Sequence, residues 1–505
     1  MKFNNICIVG GGSAGWMTAS VLLKHFGDSP LSKASKNITL IESPLVGTIG
    51  VGESTTQHFN TFVRYPELED KEWMPACDAT YKNSIRFENW GTDQPWQYPF
   101  GSYDTGLPPL DYYVWKHYRQ PSNDTFQNVY SNAAAVSEQG KLYTPHIDKL
   151  VGYHIDATKF ATYLKDKFCL PRGLNYIRET VDRIDTNGDN IEKLTLDDGR
   201  EITADLFIDC TGFRAILMNR LGVPWEDWRD VLLNDSTWCT KREYVDKARE
   251  LTSYTSVTAL SSGWVWKVPT WNRIGTGYNF SSKFQDKRFA LKEFKDHLGC
   301  PDAPDSDFRY IRWPTGMREK IWVGNTLAIG LSAGFIEPLE SGGLFSVHEF
   351  LFNFIQFADP KVDTLSGLQR DWFNAACHVK FMTFRDFVVH HFTAAFKDDT
   401  PYWDAATSVY FHTLNQIDCR DIPTTLNDLF IGMQFVLAGL GYTIIGRKEI
   451  MDMEAHYDKL YDDEMLKNVD NEVSMRLEQG IQIANNMPVP LDFYNQTLYN
   501  TDGIN

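Results

Sequence analysis

The sequence predicts an α/β fold: a discontinuous Rossmann-like domain with inserted β-sheet, followed by a mostly helical C-terminal region. The first observation is a short apolar run at residues 3–9 that passes directly into glycines and then into a helix-like segment. The second is that two later apolar runs, ending near residues 210 and 330, also lead into glycines. The third is apolar spacing typical of helices over residues 347–399.

The first glycine segment has the spacing G-x-G-x-x-G over residues 10–15. Glycines in this pattern permit a tight turn and let the backbone approach a pyrophosphate, which binds free N–H groups at the helix start. The next strand-like run, residues 37–41, ends at Glu42, whose carboxylate can accept the ribose hydroxyls of an adenine dinucleotide. A Rossmann-like unit that binds no ligand is the alternative. The residues predicted to bind the cofactor here are Gly10, Gly12, Ser13, Ala14, Gly15 and Glu42.

Two further glycine segments are candidates for contacts with the same ligand. Residues 47–56 read GTIGVGESTT, which could wrap a flavin, although an ordinary loop has the same composition. The strand-like run that begins at residue 321 meets Gly330. We therefore add four residues to the predicted cofactor site: Gly52, Glu53, Ser54 and Gly330.

Composition excludes several classes of function. A net charge of −17, from 49 basic and 66 acidic residues, argues against a nucleic-acid partner. The eight cysteines contain no C-x-x-C, and Cys7 and Cys210 fall in strand-like runs, which favours buried thiols in a reducing compartment. The histidines show no metal-binding spacing, so no metal site is predicted. The longest apolar segment, residues 430–446, is broken by glycines, so we predict no membrane span and a cytoplasmic protein.

Six stretches of the chain resemble the flavin-dependent halogenases of the tryptophan halogenase type. The resemblance covers roughly residues 1–400, and the W-x-W-x-[IV]-P motif is specific to that family. The six stretches are GGGSAGWM, ATYKNSIRFENW, GYHIDATKF, DLFIDCTGF, GWVWKVP and GFIEPLESGG. The second of them, residues 79–90, alternates like one β-strand and would place Lys82 on the same face as Ser84 and Arg86.

The resemblance implies a chemistry and a domain plan. Reduced FAD and O2 oxidise a bound halide (chloride, bromide or iodide) to hypohalous acid, which reaches an electron-rich aromatic substrate in a second pocket. Residues 1–360 are expected to form one discontinuous FAD-binding domain, with sheet insertions near residues 60–140 and 225–315. Residues 361–505 are expected to form a mostly helical region that contributes to the substrate pocket.

The resemblance also implies roles for individual residues. Lys82, which would otherwise be read as a surface lysine, matches the residue that presents halogen to the ring. Glu340, followed by Ser341, matches the carboxylate that accepts the ring proton, and Glu337 is a competing acid three residues earlier. His390 and His391 are expected to be core or surface histidines rather than catalytic ones.

Two pairs of residues complete the site implied by the resemblance. Trp264 and Trp266 match the pair that keeps substrate away from the flavin, although two aromatics on one strand face are also ordinary core. The halide is expected on backbone N–H groups of Gly342 and Gly343, where the family commonly has Thr-Gly.

Two other functions are open at this point. A flavin monooxygenase would hydroxylate an aromatic substrate, but its G-D motif after the third strand is replaced here by Gly330-Leu331. A non-catalytic binding protein could also use this scaffold, and absence of flavin binding would favour it. The sequence holds one dinucleotide motif and none for NAD(P)H, so a separate flavin reductase is expected as partner. The oligomeric state stays open, a homo-oligomer included.

Overall fold

The protein has the expected α/β fold, seen here in a computed structural model. A parallel sheet and a larger, mainly antiparallel sheet share one apolar core, which includes Ile6, Ile208, Ile85 and Trp264. The structure describes residues 2–27, 36–47, 50, 52–91, 94–104, 106–119, 126–359, 364–393, 395, 397, 399–409 and 463–500.

The parallel sheet is built around the N-terminal strand Asn5–Val9, in which every residue after the first is buried. Such a continuous apolar run is typical of a strand covered on both faces. Ile8 pairs with Leu40 on one side and with Ile208 on the other. All neighbouring strands are parallel except the antiparallel edge strand Trp322–Val323. In spatial order the strands are Trp322–Val323, Thr326–Ala328, Leu206–Asp209, Asn5–Val9, Asn37–Glu42 and Asn175–Arg178.

The larger sheet has seven strands, which come from two distant parts of the chain. Neighbours are antiparallel except Ser84–Glu88 and Tyr254–Leu260, which run parallel. In spatial order the strands are Arg309–Arg312, Ser236–Arg242, Ile274–Phe280, Gly263–Pro269, Tyr254–Leu260, Ser84–Glu88 and Trp96–Pro99.

The prediction of a single strand over residues 79–90 is wrong, because the polypeptide leaves one sheet at Lys82 and enters another at Ser84. The backbone N–H of Asn83 donates to the carbonyl of Ser253 at 2.7 Å, and its carbonyl accepts from the N–H of Phe100 at 2.7 Å. Lys82 therefore ends one strand and Ser84 begins another, so the two residues share no sheet face.

Three small sheets complete the β-structure described. The one that matters for the site carries Lys82 and consists of Glu53–Ser54, Gly152–Ile155 and Thr80–Lys82. The second small sheet consists of Glu201–Ile202, Asn190–Leu196 and Val181–Asn187. The third consists of Trp225–Asp227, Gly316–Arg318 and Gly334–Phe335.

Helix Ala157–Tyr163 begins after Asp156, whose carboxylate accepts from the N–H groups of Thr158 and Lys159. The apolar segment at residues 430–446 lies outside the described residues. The described α-helices are Ser13–Gly27, Phe59–Arg64, Asp70–Ala76, Pro109–Arg119, Phe126–Tyr130, Asn132–Glu138, Ala157–Tyr163, Ile216–Arg220, Lys247–Glu250, Lys287–His297, Phe345–Phe357, Gly367–Thr393, Pro401–Thr407, Asp463–Asn485 and Pro490–Thr497.

Cys7 and Cys210 are buried free thiols, as expected from their strand-like surroundings. Burial raises the pKa of both thiols to about 12, so neither is a reactive thiolate near neutral pH. No helix in the part of the chain that the structure describes is long and apolar enough to cross a membrane.

The last described residues close over the strand that carries Lys82. The backbone N–H of Tyr81 donates to the hydroxyl oxygen of Tyr494 at 2.6 Å. The hydroxyl of Tyr499 donates to the carbonyl of Ala79 at 2.8 Å. Because strand Thr80–Lys82 has one strand neighbour in its sheet, these tyrosines take up backbone groups on its open side.

Candidate active site

The glycine loop after the first strand is shaped so that only glycine fits at two positions. Gly10 has φ +120°, and a Cβ there would lie 2.3 Å from the carbonyl oxygen of Cys210. A Cβ on Gly15 would lie 1.9 Å from the carbonyl oxygen of Gly10. No described atom lies within 4 Å of a Cβ built on Gly12, so that residue borders open space. The N–H groups of Gly12, Ser13 and Ala14 have no acceptor in the described part of the chain.

These residues line a cavity of about 610 Å³ at the carboxyl edge of the parallel sheet. Of the ten residues proposed for the cofactor, all but Gly15 line it, and Gly15 packs beneath the loop. The free N–H groups suit the pyrophosphate of FAD. Glu42 suits the ribose, and its Oε2 accepts from the hydroxyl of Tyr176 at 2.6 Å. The donor set and the space therefore fit FAD.

Glu53 is a buried acid on the wall of this cavity. Burial, followed by the charge of Asp156, raises the pKa of the Glu53 carboxyl to about 7. Its Oε2 lies 3.1 Å from the position that a Cβ on Gly343 would take. Glu53 is therefore close to the backbone expected to hold the halide.

Lys82 is fully buried at the end of strand Thr80–Lys82, behind the cavity wall. Its Nζ donates to the hydroxyl oxygen of Ser341 at 2.6 Å and to the carbonyl of Thr55 at 3.2 Å, and it lies 4.6 Å from the centre of the Phe100 ring. Burial lowers the pKa of Lys82 to about 7, against the opposing charge of Glu340. Both ammonium and amine forms are therefore populated near neutral pH.

The Pro338–Glu340 turn brings the expected catalytic pair to Lys82. Ser341, which follows the turn, lines the cavity and has φ 62°, a left-handed conformation that is uncommon for a residue other than glycine. That conformation directs its hydroxyl between Lys82 and Ser54, to which it donates at 3.0 Å. Glu340 is buried on the side of the turn away from the cavity.

His391 contacts the expected catalytic acid. Its Nε2 lies 2.8 Å from Oε1 of Glu340, and its Nδ1 lies 2.9 Å from the carbonyl of Phe387. From the sequence, both His390 and His391 are expected in core or surface positions. His391 is indeed a buried and satisfied histidine, but its partner is Glu340, which no sequence spacing indicates. His390 has no partner for Nε2 among the described residues, and burial lowers its pKa to about 3.

Glu337, the competing acid, has a different environment. Its Oε2 accepts from the indole N–H of Trp264 at 2.6 Å and from the amide of Asn234 at 2.7 Å. Burial raises the pKa of Glu337 to about 7. Trp264 and Trp266 both line the cavity, and the Trp266 ring covers Gly277, where a Cβ would lie 2.7 Å from it. Glu337 thus orients one member of the tryptophan pair.

Comparison with known proteins identifies the family. The family model described as tryptophan halogenase matches residues 5–420. The chain belongs to the tryptophan halogenase family.

Relatives agree over most of the chain. The tryptophan 6-halogenase SttH of Streptomyces toxytricini is 33% identical over 434 residues, which are 79% of this chain and 80% of that protein. The apo structure of VirX1 has a TM-score of 0.88 and 32% identity, covering 99% of this chain and 100% of that one. The structure of Xcc4156, a flavin-dependent halogenase from Xanthomonas campestris, has a TM-score of 0.83 and 27% identity, covering 98% of this chain and 99% of that one.

This halogenase is therefore an enzyme and a flavoprotein. Family membership supports FADH2-dependent halogenation of an aromatic compound, with O2 and a halide as co-substrates and a separate flavin reductase as the source of reduced flavin. The hydroxylase and the non-catalytic binding protein considered above are not supported by these matches.

The expected halide-binding backbone of the halogenase lies just before helix Phe345–Phe357. The N–H groups of Gly342 and Gly343 have no acceptor within the described ranges, and both precede a helix N-terminus, where anions are stabilised. A Cβ on Gly342 would lie 2.5 Å from the Phe384 ring, which itself stacks on Phe345 at 4.6 Å. The ring fills the space that a threonine would need at position 342.

Proposed function

We propose that this halogenase transfers halogen to an electron-rich aromatic substrate through Lys82, while Glu340 accepts the ring proton. The observation that carries the proposal is the contact between the buried Lys82 and Ser341, which forms part of the wall of the flavin cavity. An oxidant made in that cavity would meet Ser341 and then Lys82 before it reached a ring beyond them.

Bound FADH2 supplies, with O2, the oxidising power that converts halide to hypohalous acid. The protein positions each participant around that chemistry. The glycine loop holds the pyrophosphate on its free N–H groups, and Glu42 holds the ribose. Trp264 and Trp266 form a wall of the cavity that keeps the aromatic substrate off the flavin. Glu337 fixes the indole of Trp264 in that wall.

Lys82 is suited to hold an oxidant and present its halogen. An ammonium group has three N–H donors, and two of those of Lys82 are directed to Ser341 and Thr55. The third can donate to hypohalous acid. Alternatively, the amine form, which burial makes accessible near pH 7, can form an N–halogen bond. Both routes require the lysine to be buried, because water would otherwise compete for the oxidant.

Glu340 is suited to take the proton that leaves the ring. A carboxylate accepts a proton and stabilises the cationic ring that forms when halogen adds. His391 holds Oε1 of Glu340, which leaves Oε2 to face the ring.

The halide preference follows from the backbone site at Gly342 and Gly343. A smaller ion loses more hydration energy on leaving water, so chloride is the more expensive halide to bind there. Bromide and iodide are also more easily oxidised. Without a threonine side chain at position 342, the site should discriminate weakly by size. We therefore expect bromide and iodide to be used at least as well as chloride.

The test is a screen of indoles, phenols and other electron-rich aromatics with FAD, a flavin reductase, O2 and mixed halides, analysed by mass spectrometry. Halogenated products with the correct isotope pattern, made in the presence of a hypohalite scavenger, are expected. Products that gain one oxygen and no halogen would instead identify a hydroxylase. Hydrogen peroxide release without any aromatic product would contradict the assigned roles of Lys82 and Glu340.

A further inference from the structure

A chain of hydrogen bonds leads from Lys82 along the wall of the flavin cavity, where Ser341, Ser54 and Thr255 lie, and then into the protein. It passes through four hydroxyl groups and one histidine, which come from five different segments, and ends on a backbone carbonyl. The links are Lys82 Nζ to Ser341 Oγ at 2.6 Å, Ser341 Oγ to Ser54 Oγ at 3.0 Å, Ser54 Oγ to Thr255 Oγ1 at 2.7 Å, Thr255 Oγ1 to His154 Nε2 at 2.9 Å, His154 Nδ1 to Thr80 Oγ1 at 3.2 Å, and Thr80 Oγ1 to the carbonyl of Pro269 at 2.7 Å.

The donor and the acceptor of every hydrogen bond in this chain can be assigned by starting at the carbonyl of Pro269. A carbonyl can only accept, so the single hydroxyl proton of Thr80 is directed to Pro269. Thr80 must then accept from Nδ1–H of His154. In a neutral imidazole the other nitrogen accepts, so Nε2 accepts from the hydroxyl of Thr255.

The remaining links follow in the same direction. Thr255, having donated its only proton, accepts from Ser54, and Ser54 accepts from Ser341. Ser341 therefore presents a lone pair to Lys82, whose ammonium group can only donate. Both ends of the chain require the same direction, so the chain is fully satisfied when Lys82 is charged and His154 is neutral.

The surroundings maintain this arrangement. His154 is fully buried, and burial, followed by the charge of Lys82, keeps the pKa of its imidazole well below the ordinary value. Glu340 is the charged group that acts on Lys82 from the opposite side. Glu53 precedes Ser54 in the chain and has a raised pKa, caused first by burial. A proton shared along this chain therefore rests on Lys82 rather than on His154.

We propose that His154 is the remote proton acceptor for Lys82, connected to it through Ser341, Ser54 and Thr255. The inference rests on the proposed function, because it explains where the proton goes when the buried Lys82 becomes an amine. In one transfer, Lys82 gives a proton to Ser341, each hydroxyl passes its own proton onward, and Nε2 of His154 receives the last. Lys82 is then an amine, His154 is an imidazolium, and the hydroxyls point the opposite way. Because burial disfavours the imidazolium, this state is higher in free energy than the resting one, and the proton stays on His154 only until the halogen is bound.

Over one halogen transfer the protein neither gains nor loses a proton. The lone pair of Lys82 takes halogen from hypohalous acid: the N–halogen bond forms, the oxygen–halogen bond breaks, and the departing hydroxide leaves as water with a proton from Nζ. Return of the proton from His154 makes the N-halogenated lysine cationic and a stronger halogen donor. Halogen then passes to the ring, the ring proton goes to Glu340, and Glu340 restores the ammonium of Lys82. The sum is aromatic plus hypohalous acid giving halogenated aromatic plus water.

The substitution Thr255→Val breaks this hydrogen-bond chain without changing the side-chain volume greatly. The matched control is Thr258→Val, on the same strand as Thr255. The hydroxyl of Thr258 contacts Glu88 at 3.3 Å and is not part of the hydrogen-bond chain. FAD affinity and O2-dependent peroxide release are expected to stay close to those of the control. Halogenation is expected to fall by about 10-fold or more, the effect of losing a positioned proton-transfer group. The curved dependence of the wild-type rate on the D2O fraction should become linear.

A second readout does not need an active halogenase. Selectively labelled lysine and histidine, assigned by difference with Lys82→Arg and His154→Gln, allow both groups to be titrated by NMR. His154 is expected as the neutral Nδ1–H tautomer. The Lys82 pKa should be lower in Thr255→Val than in Thr258→Val, because Ser341 is then free to turn and donate to the amine.

Each outcome decides one question. Equal Lys82 titration in Thr255→Val and Thr258→Val would overturn the relay, whether or not the enzyme halogenates the aromatics offered. A lower halogenation rate with unchanged Lys82 titration would also overturn it, because the loss would then lie in packing. A wild-type enzyme with the expected titration but no halogenated product would contradict the proposed function and leave the relay standing.

Discussion

Two buried acids on one short turn, Glu337 and Glu340, have different surroundings. Glu337 faces the flavin cavity wall and is held by two neutral N–H donors, from Trp264 and Asn234. Glu340 faces the opposite way, toward His391 and the charge of Lys82. Burial is the same for both, so burial alone does not distinguish a structural carboxyl from a reacting one. The hydrogen-bond partners do distinguish them: Glu337 holds the indole of Trp264, and Glu340 contacts His391 and acts on the charge of Lys82, the proposed halogen carrier.

The largest loss of activity is expected on removal of Lys82, whose charge distinguishes the surroundings of Glu340 from those of Glu337. Lys82→Ala should lower halogenation by about 10²-fold or more, the range for positioned proton-transfer groups, because the proposed mechanism passes the halogen through this amine. The rate of product formation is measured by chromatography. Lys82→Met, which keeps much of the side-chain volume, should be as inactive while FAD binding and peroxide release persist. Near-normal halogenation in either variant would remove Lys82 from the mechanism.

The next effect concerns the acids themselves. Glu340→Gln should slow halogenation by about 10- to 10²-fold, because the amide cannot accept the ring proton. Glu337→Gln should have a smaller effect on this rate, since an amide can still accept hydrogen bonds from Trp264 and Asn234. Single-turnover rates of the two variants at equal flavin loading give the comparison. The reverse order would assign the proton to Glu337.

A third prediction tests the support of Glu340. His391→Leu should lower halogenation by about 10-fold, the loss expected for one hydrogen bond to a charged group. The adjacent His390→Leu is the control, because no described residue bonds its Nε2. Rescue by His391→Gln, which can still reach Glu340, would indicate positioning. Equal rates for His391→Leu and His390→Leu would show that Glu340 needs no support.

A smaller effect is expected from Glu53, which lies on the cavity side. Its carboxyl is neutral below its pKa of about 7 and negative above it, so it should repel a halide beside Gly343 as pH rises through 7. The apparent KM for bromide should therefore increase over that range by a few-fold. In Glu53→Gln this rise should be absent. An unchanged pH profile in the variant would place the titrating group elsewhere.

The smallest effect is the choice among halides. In a competition at equal chloride, bromide and iodide, with free hypohalite scavenged, the two heavier halides should be incorporated at least as well as chloride. The reason is that chloride loses more hydration energy in a backbone site with no threonine beside it. Predominant chlorination would show a tight chloride site. Phe384→Leu, which opens space beside Gly342, should alter the ratio more than Phe381→Leu on the same helix.

Much of this arrangement could be predicted from local sequence, because the information lies in short motifs. The glycine spacing, the acid at the end of the second strand and the two tryptophans two residues apart each depend on neighbours in the chain. Their backbone directions follow from the strand or turn that carries them. The resemblance to the halogenases then indicated Lys82 and Glu340, which no local pattern could identify.

The features that the sequence did not reveal depend on distant contacts. The change of sheet at Asn83 requires partners at Ser253 and Phe100, so alternation over residues 79–90 suggested one strand. His391 is 51 residues from Glu340, and His154 is 101 residues from Thr255. A lone buried histidine has no sequence signature for its partner. The role of Phe384 beside Gly342 is hidden for the same reason.

The tyrosines that close over strand Thr80–Lys82 have a consequence for the order of protein synthesis. Tyr494 is made 413 residues after Tyr81, which takes about 20 to 80 s at ordinary rates of translation. The strands that flank Asn5–Val9, which leads into the flavin-binding loop, are all made before that interval ends. The open side of the lysine strand cannot be completed until the last helix has emerged. A nascent chain therefore lacks this support for the strand of Lys82 until Tyr494 has been made, and a chain that loses Tyr494 to a protease would lose the support again.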